Sequence, residues 1–236
     1  MTSEPINGST TNAGQVHAIV PAWNEADRIH AVLDVLASAS GVDRITVVDD
    51  GSSDATAAVA EAHPAAASGK LSVLRLAENR GKGAAMAAGA AAAGTAYALL
   101  FLDADLIGLT VDQVEALVEP VRSGKVDMAL GVFRGGNFWT TLAQVIVPNI
   151  SGQRAIRREL FLEVQGVAEA RFGVELAITN HVLGSGRPIA QIVLRDVSHP
   201  MKERKFGIWK GMASRARMYR QMLPYLIAGR RKGKRQ

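Results

Sequence analysis

The chain has 236 residues, 48% of them apolar, which fits one large domain or a domain with an appendage around a substantial core. It has no Cys, which excludes disulfides and thiolate zinc sites and agrees with a reducing, cytoplasmic setting. From Lys202 onward twelve Lys and Arg face a single acid, Glu203. The overall net charge is +5, so the first 201 residues carry −6. A basic tail on an acidic body points to a local anionic partner and argues against nucleic acid spread over the fold.

Residues 1–15, rich in Thr, Ser, Asn and Gly and lacking a secretory pattern, read as a disordered leader. Val16–Val20 is apolar and β-branched, the first predicted strand. Ala26–Ala39 has helical spacing through Ile29, Leu33 and Leu36. Arg44–Val48 is a second strand, Ala55–Ala62 a helix and Leu71–Leu76 a third strand. Gly83–Leu102 is a run of twenty uncharged residues. Its Ala and Gly are only weakly apolar, and Gly94-Thr95 divides it into a helix, 83–93, and a fourth strand, 97–102, so no transmembrane helix is expected. Val111–Arg122 is helical and Val126–Val132 a strand. This alternation predicts an α/β fold: a mostly parallel, Rossmann-like sheet with helices on both faces and ligands at the strand C-terminal edge.

After residue 133 the rhythm breaks at Gly135-Gly136-Asn137. Phe138–Ile150 reads as a helix or a pocket-lining loop. Arg157–Val164 and Val174–Leu183 read as helices and Pro188–Leu194 as a strand. Ile208–Leu223 is an amphipathic helix, with Trp209, Met212, Ala216, Tyr219 and Leu223 on one face.

Four polar clusters fall where predicted strands end. Pro21-Ala22-Trp23-Asn24-Glu25 follows the first strand, and Pro21 is expected to terminate it. Asp49-Asp50 follows the second and leads into turn and cap residues Gly51 to Asp54; a carboxylate there can accept from a base edge or from ribose hydroxyls. Asn79-Arg80-Gly81-Lys82-Gly83 opens the Ala-rich helix with two cations and two glycines, a loop through which amides can approach phosphate. Asp103-Ala104-Asp105 closes the fourth strand. Strand alternation turns both carboxylates to one side, where they can share Mg²⁺ or Mn²⁺.

Together the segments 19–25 (IVPAWNE), 47–56 (VVDDGSSDAT), 79–89 (NRGKGAAMAAG) and 101–108 (FLDADLIG) resemble the family 2 glycosyltransferases, with their A-type nucleotide-diphospho-sugar transferase fold. The resemblance implies a metal-dependent enzyme that moves a sugar from a UDP- or GDP-sugar to an acceptor. It divides the chain into a nucleotide-sugar-binding half (16–132), an acceptor-binding half (133–201), and an amphipathic helix with a basic tail (202–236). It assigns the donor to Pro21, Ala22, Asn24, Glu25, Asp50, Lys82, Asp103 and Ala104, and the metal to Asp103 and Asp105. Asp105 thereby takes part in catalysis.

The segment 151–160 (SGQRAIRREL) looks like the acceptor loop of polyprenyl-phosphate sugar transferases, which implicates Gln153 and Arg154, with Arg157 and Arg158 available to a phosphate. The segment 172–178 (FGVELAI) is similar to a stretch in glucosyl-3-phosphoglycerate synthases, in which a later His completes the metal site; His199 is the candidate here. Glu175 is either the base that deprotonates the acceptor or a group that orients it. A polyprenyl phosphate is the expected acceptor, with the basic tail at the inner membrane face. The rival is retaining transfer to a small phosphorylated acid such as 3-phosphoglycerate. A nucleotidyltransferase would carry a Gly-rich, Arg-containing loop where this chain has PAWNE.

Overall fold

The computed structural model describes residues 14–134, 152–170 and 173–200. In chain order these form β1 (Val16–Ala22), α1 (Ile29–Ser38), β2 (Arg44–Asp49), α2 (Thr56–Glu61), α3 (Pro64–Ala67), β3 (Leu71–Arg75), α4 (Lys82–Ala92), β4 (Ala98–Phe101), α5 (Val111–Arg122), β5 (Met128–Arg134), β6 (Arg154–Arg157), α6 (Arg158–Leu162), α7 (Val174–Gly184) and β7 (Ile189–Arg195). All seven strands join one sheet in the order β3-β2-β1-β4-β6-β5-β7. Strand β6 runs antiparallel to both of its neighbours, and every other pairing is parallel.

The two faces are filled differently. On one, Leu33 and Leu36 of α1 and Leu117 and Val121 of α5 pack on Ala18, Ile45 and Leu100. On the other, α4, α6 and α7 bring Ala85, Met86, Phe161 and Ile178 onto Ile19, Val48 and Phe101. Helix α4 can lie this close because it is almost entirely Ala and Gly: a Cβ on Gly89 would meet Ile19 Cγ2 at 2.4 Å. Among the described residues no helix is long and apolar enough to cross a membrane.

Most of the expected elements are present, and the departures have local causes. Pro21 does not end β1; it is paired with Val48 inside it. Its missing N–H faces the β4 side, where that strand's ladder has already stopped opposite Ile19, so no bond is lost. Helix α1 begins at Ile29 because Glu25–Arg28 forms a turn whose Glu25 carbonyl accepts the amides of Arg28 and Ile29. Helix α3 was not expected; Pro64 at its first position and the His63 ring accepting the Ala65 amide build it.

The helix expected over 157–164 is present as the shorter α6, Arg158–Leu162, because Arg157 still belongs to β6. The Gln15 carbonyl accepts the Tyr97 and Ala98 amides, so ordered pairing begins inside the expected leader. The expected elements at 138–150 and 208–223, and the basic tail, lie outside the described residues.

Candidate active site

The ends of β1 and β2 are stitched into one surface by short polar side chains. Asn24, in the left-handed region at φ 56°, donates its amide to Ser52 Oγ (2.9 Å) and accepts the Ser53 amide on Oδ1 (2.8 Å). The Glu25 amide donates to Thr56 Oγ1 (2.8 Å), and the Ala26 amide to Asp54. Pro21 and Ala22 sit in the strand behind this surface, with Ala22 buried.

Besides the nucleoside contact expected of it, Asp50 has a task within the fold. It is buried, and its two carboxylate oxygens accept the amides of Arg80 and Gly81, each at 2.8 Å. It shapes the loop that leads into Lys82. Gly51 makes this approach possible: at φ 67°, a Cβ there would lie 2.6 Å from the Glu78 carbonyl carbon. Asp49 accepts the Ser52 amide (3.1 Å), which is the turn chemistry its position suggests.

Asp103 and Asp105 lie beyond the last residue of β4, so strand alternation is not what brings them together. Ile107 and Ser198 exchange backbone hydrogen bonds at 2.9 and 3.0 Å, an isolated antiparallel bridge that lays the chain after β7 along the Asp103–Ile107 turn. Gly108, at φ 80°, permits the contact, since a Cβ there would meet the Asp196 carbonyl at 2.4 Å. His199 thereby reaches both acids: its Nδ1 is 2.9 Å from Asp105 Oδ1, and its Nε2 is 3.6 Å from Asp103 Oδ2. One ligand atom from each of the three lies within 4.8 Å of the others. Two carboxylates and one imidazole are a donor set that suits Mg²⁺ or, better, Mn²⁺, which tolerates nitrogen.

Gln153, fully buried, stands behind this group. Its Nε2 donates to Asp103 Oδ2 (3.1 Å) and lies 3.3 Å from His199 Nε2. Beside the acceptor contact expected of it, Gln153 braces Asp103 and His199. His199 thus turns Nδ1 to Asp105 and Nε2 to Gln153 and Asp103.

Lys82, the first residue of α4, closes the group: its Nζ is 2.5 Å from Asp103 Oδ1 and 2.7 Å from Glu175 Oε1 in the first turn of α7. Burial alone would raise both carboxyls, but the Lys82 ammonium outweighs it and holds Asp103 and Glu175 below their ordinary values. Burial likewise opposes the charge on Lys82, and the two acids reverse that and raise its pKa. His199 is raised as well, its burial outweighed by the Asp105 hydrogen bond and by both acids. A lowered carboxyl is a weaker proton acceptor than an ordinary one. Gly152 is a feature of the site that the sequence did not single out: a Cβ there would lie 2.7 Å from Lys82 Nζ and 2.8 Å from Asp103 Oδ2. A glycine within the expected acceptor loop was the available signal.

The expected acceptor arginines separate. Arg154 is fully buried under α7. Because β6 runs antiparallel to β4, Arg157 sits opposite Ala98, at the far edge of the sheet from the acids. There it lies 4.4 Å over the Tyr97 ring and 3.8 Å from Asp127. A second cluster, His30, Asp34 and His63, has ligand-like spacing. Its His63 Nδ1 accepts the Ala65 amide, so Nε2 keeps the proton and donates to Asp34 (3.2 Å). This is a hydrogen-bonded staple between α1 and α3, because a ligand nitrogen needs a free lone pair.

The pattern of glycosyl transferase family 2 matches residues 17–175, about two thirds of the chain. The chain belongs to this family. Over 104 residues this family 2 glycosyl transferase is 40% identical to a dolichyl-phosphate beta-glucosyltransferase of Drosophila melanogaster; the match takes in 39% of the chain and 31% of the relative, so it spans about a third of that protein. Among solved structures, glucosyl-3-phosphoglycerate synthase from Mycobacterium tuberculosis, in complex with Mn²⁺, uridine-diphosphate and glucosyl-3-phosphoglycerate, superposes with TM-score 0.66 at 25% identity, covering 96% of this chain and 86% of that one. Mannosyl-3-phosphoglycerate synthase from Rubrobacter xylanophilus gives TM-score 0.72 at 23% identity over 94% and 76% of the two chains, a likeness of fold.

Proposed function

We propose that this enzyme transfers a sugar from a uridine-diphosphate sugar, with Mn²⁺ or Mg²⁺, to an acceptor that carries a phosphate. The observation that carries the reading is the convergence of Asp103, Asp105 and His199 beside Lys82 at the strand C-terminal edge. Three carboxylates, Asp103, Asp105 and Glu175, face two fixed cations, Lys82 and Arg154. A divalent ion would turn that excess negative charge positive and suit a diphosphate. When bound, the ion supplies charge stabilisation to the leaving nucleoside diphosphate. Asp103, Asp105 and His199 are the residues to hold it. Lys82 adds a cation beside them, and Asp50 fixes the loop that presents Lys82. The surface of Pro21, Ala22, Asn24, Glu25 and Ala104 is the donor side.

Glu175 fits an orienting role at the junction of donor and acceptor better than a proton-accepting one. Glu175→Gln is expected to bind UDP–Mn²⁺ within about threefold of wild type while turnover falls about a hundredfold. Because its pKa is lowered, Glu175 stays ionised above about pH 5, so wild-type kcat/KM should show no Glu175 limb near neutrality. Full turnover in the variant removes Glu175 from the mechanism, and a limb near neutrality that vanishes in the variant restores it as the base.

A phosphate-bearing compound is common to the names of the relatives: dolichyl phosphate in one, phosphoglycerate in the other. The SGQRAIRREL segment and the basic tail favour a polyprenyl phosphate; coverage of nearly the whole chain by the phosphoglycerate enzyme favours a small phosphorylated acid. Radiolabelled UDP-glucose with Mn²⁺ and either polyprenyl phosphate in detergent or 3-phosphoglycerate separates them, since label enters an organic phase in one case and an aqueous anion in the other. No product in either arm together with no Mn²⁺-dependent UDP binding refutes the assignment.

Trp209 and Tyr219 with Arg230, Arg231, Lys232, Lys234 and Arg235 suit an anionic membrane surface. Deleting 230–236 should lower partition onto vesicles containing phosphatidylglycerol at least tenfold, at about 1 kcal/mol per basic residue. Unaltered partition retires the membrane contact.

A further inference from the structure

The sheet beneath the site holds a charge that the transfer chemistry leaves unexplained. Arg154 begins β6, paired with Phe101 of β4 and Leu130 of β5, and is 0% exposed. Its side chain rises on the face shared with Ile156, Phe101 and Ile178, an apolar environment. Taking a guanidinium out of water is costly unless opposing charge and hydrogen bonds compensate.

The bonds it makes include two to one turn of α7. Nη1 donates to the backbone carbonyl of Glu175 (3.0 Å) and lies 3.3 Å from Thr179 Oγ1, which itself donates to that same carbonyl (2.8 Å). The opposing charge comes from Glu175 and Asp103. Burial lowers the Arg154 pKa, and these two acids limit the fall to about 10, so the side chain is a cation at neutral pH. A basic residue at the core of a β-strand, bonded to the backbone of the residue whose carboxylate grips Lys82, suggests more than packing.

We propose that Arg154 is a positioning residue for the transfer site: it pins the first turn of α7 to the sheet and keeps a fixed positive charge behind Glu175, so that Glu175 meets Lys82 and Lys82 stays on Asp103. The proposal rests on Glu175 and Lys82 belonging to the transfer machinery. Arg suits the task and Lys only in part: one nitrogen, Nη1, meets both the carbonyl and the hydroxyl, and a guanidinium, more weakly hydrated than an ammonium, is the better cation to bury behind Glu175.

The test compares Arg154→Met and Arg154→Lys in the full chain. Three readouts are needed: UDP–Mn²⁺ affinity by calorimetry, turnover of UDP-glucose with the acceptor that wild type uses, and amide exchange of residues 174–180. Arg154→Met should keep UDP affinity within about twofold, lose about a hundredfold in kcat with KM little changed, and speed exchange at 176–179 about tenfold. Arg154→Lys should recover about tenfold of the lost kcat by restoring the charge, though on a group that is more strongly hydrated and so harder to bury. If Arg154→Met does not fold, the same split in Arg154→Lys alone, with kcat reduced and UDP affinity kept, decides.

Turnover within twofold of wild type overturns the proposal. So does an equal loss of UDP affinity and turnover in both variants, which is what simple core damage gives. Should wild type bind no UDP with Mn²⁺, the reading of the site fails first and the catalytic part of this proposal falls with it. Unchanged amide exchange in Arg154→Met overturns the pinning whatever the donor proves to be.

Discussion

Replacing Asp105 by Asn should abolish Mn²⁺-dependent donor binding and leave the fold intact. Asn keeps the shape and one oxygen acceptor, so the hydrogen bond from His199 Nδ1, 2.9 Å in the native protein, survives. What disappears is one of the two anionic ligands. An ion held by one carboxylate and one imidazole loses several kcal/mol of Coulomb stabilisation in this partly buried place, enough to weaken Mn²⁺–UDP by at least about a hundredfold and to cost about a thousandfold in turnover. Asp105 is the cleaner choice of the two acids, because Asp103 also holds Lys82 and its replacement would disturb both the ion and the Lys82–Glu175 contact. Calorimetry of UDP binding with Mn²⁺ and with EDTA checks the expectation: wild type should show a large difference, the variant almost none. Mn²⁺-dependent affinity within threefold of wild type would refute the metal role.

The site was legible in the sequence to the extent that its residues lie at strand ends. Apolar runs marked the strands, the acids after β2 and β4 stood out against them, and the parallel alternation put both at one edge. The tertiary contacts that decide what each residue does were not legible. The sequence marks Asp50 as a group for a ligand and gives no sign of the partners it has within the fold, the amides of Arg80 and Gly81, thirty and thirty-one positions away. Asp103 and Asp105 were expected to converge through the pleat of a strand that in fact stops at Phe101; they converge with His199 because of the Ile107–Ser198 bridge, a pairing no local pattern announces.

Strand β6 was missed for a related reason. The segment Arg154–Arg157 has a charged residue at each end and falls within the stretch that resembles an acceptor loop, and only β4 and β5 on either side make its first arginine a core residue. Local composition reported what each segment tolerates. The antiparallel insertion of β6 decided which arginine is buried under α7 and which is carried to the opposite edge.

Replacing Lys82 by Met should uncouple the acids that Lys82 holds, and the effect should depend on pH in a definite direction. In the native protein the ammonium, about a quarter exposed at 27%, faces Asp103 and Glu175 at 2.5 and 2.7 Å, with those side chains 22% and 16% exposed. Removing it leaves two partly buried carboxylates near Asp105 without their principal counter-charge, a change expected to cost about 2–4 kcal/mol at neutral pH. Both carboxyls are held below their ordinary values in the native protein. The stability they contribute is therefore present above the ordinary carboxylate range and lost as pH falls through their lowered native values. In Lys82→Met that contribution is gone, and burial pushes the same groups upward, so the variant is weakest where they must ionise. The gap in Tm between wild type and variant should be several degrees at pH 7 and shrink as the pH falls below the ordinary carboxylate range toward the lowered native values, where both carboxyls take up protons. Melting curves across that range read the sign directly. A gap that stays constant or widens on acidification would mean that Lys82 supports the fold by packing, and it would remove the charge balance on which a diphosphate site at this edge depends.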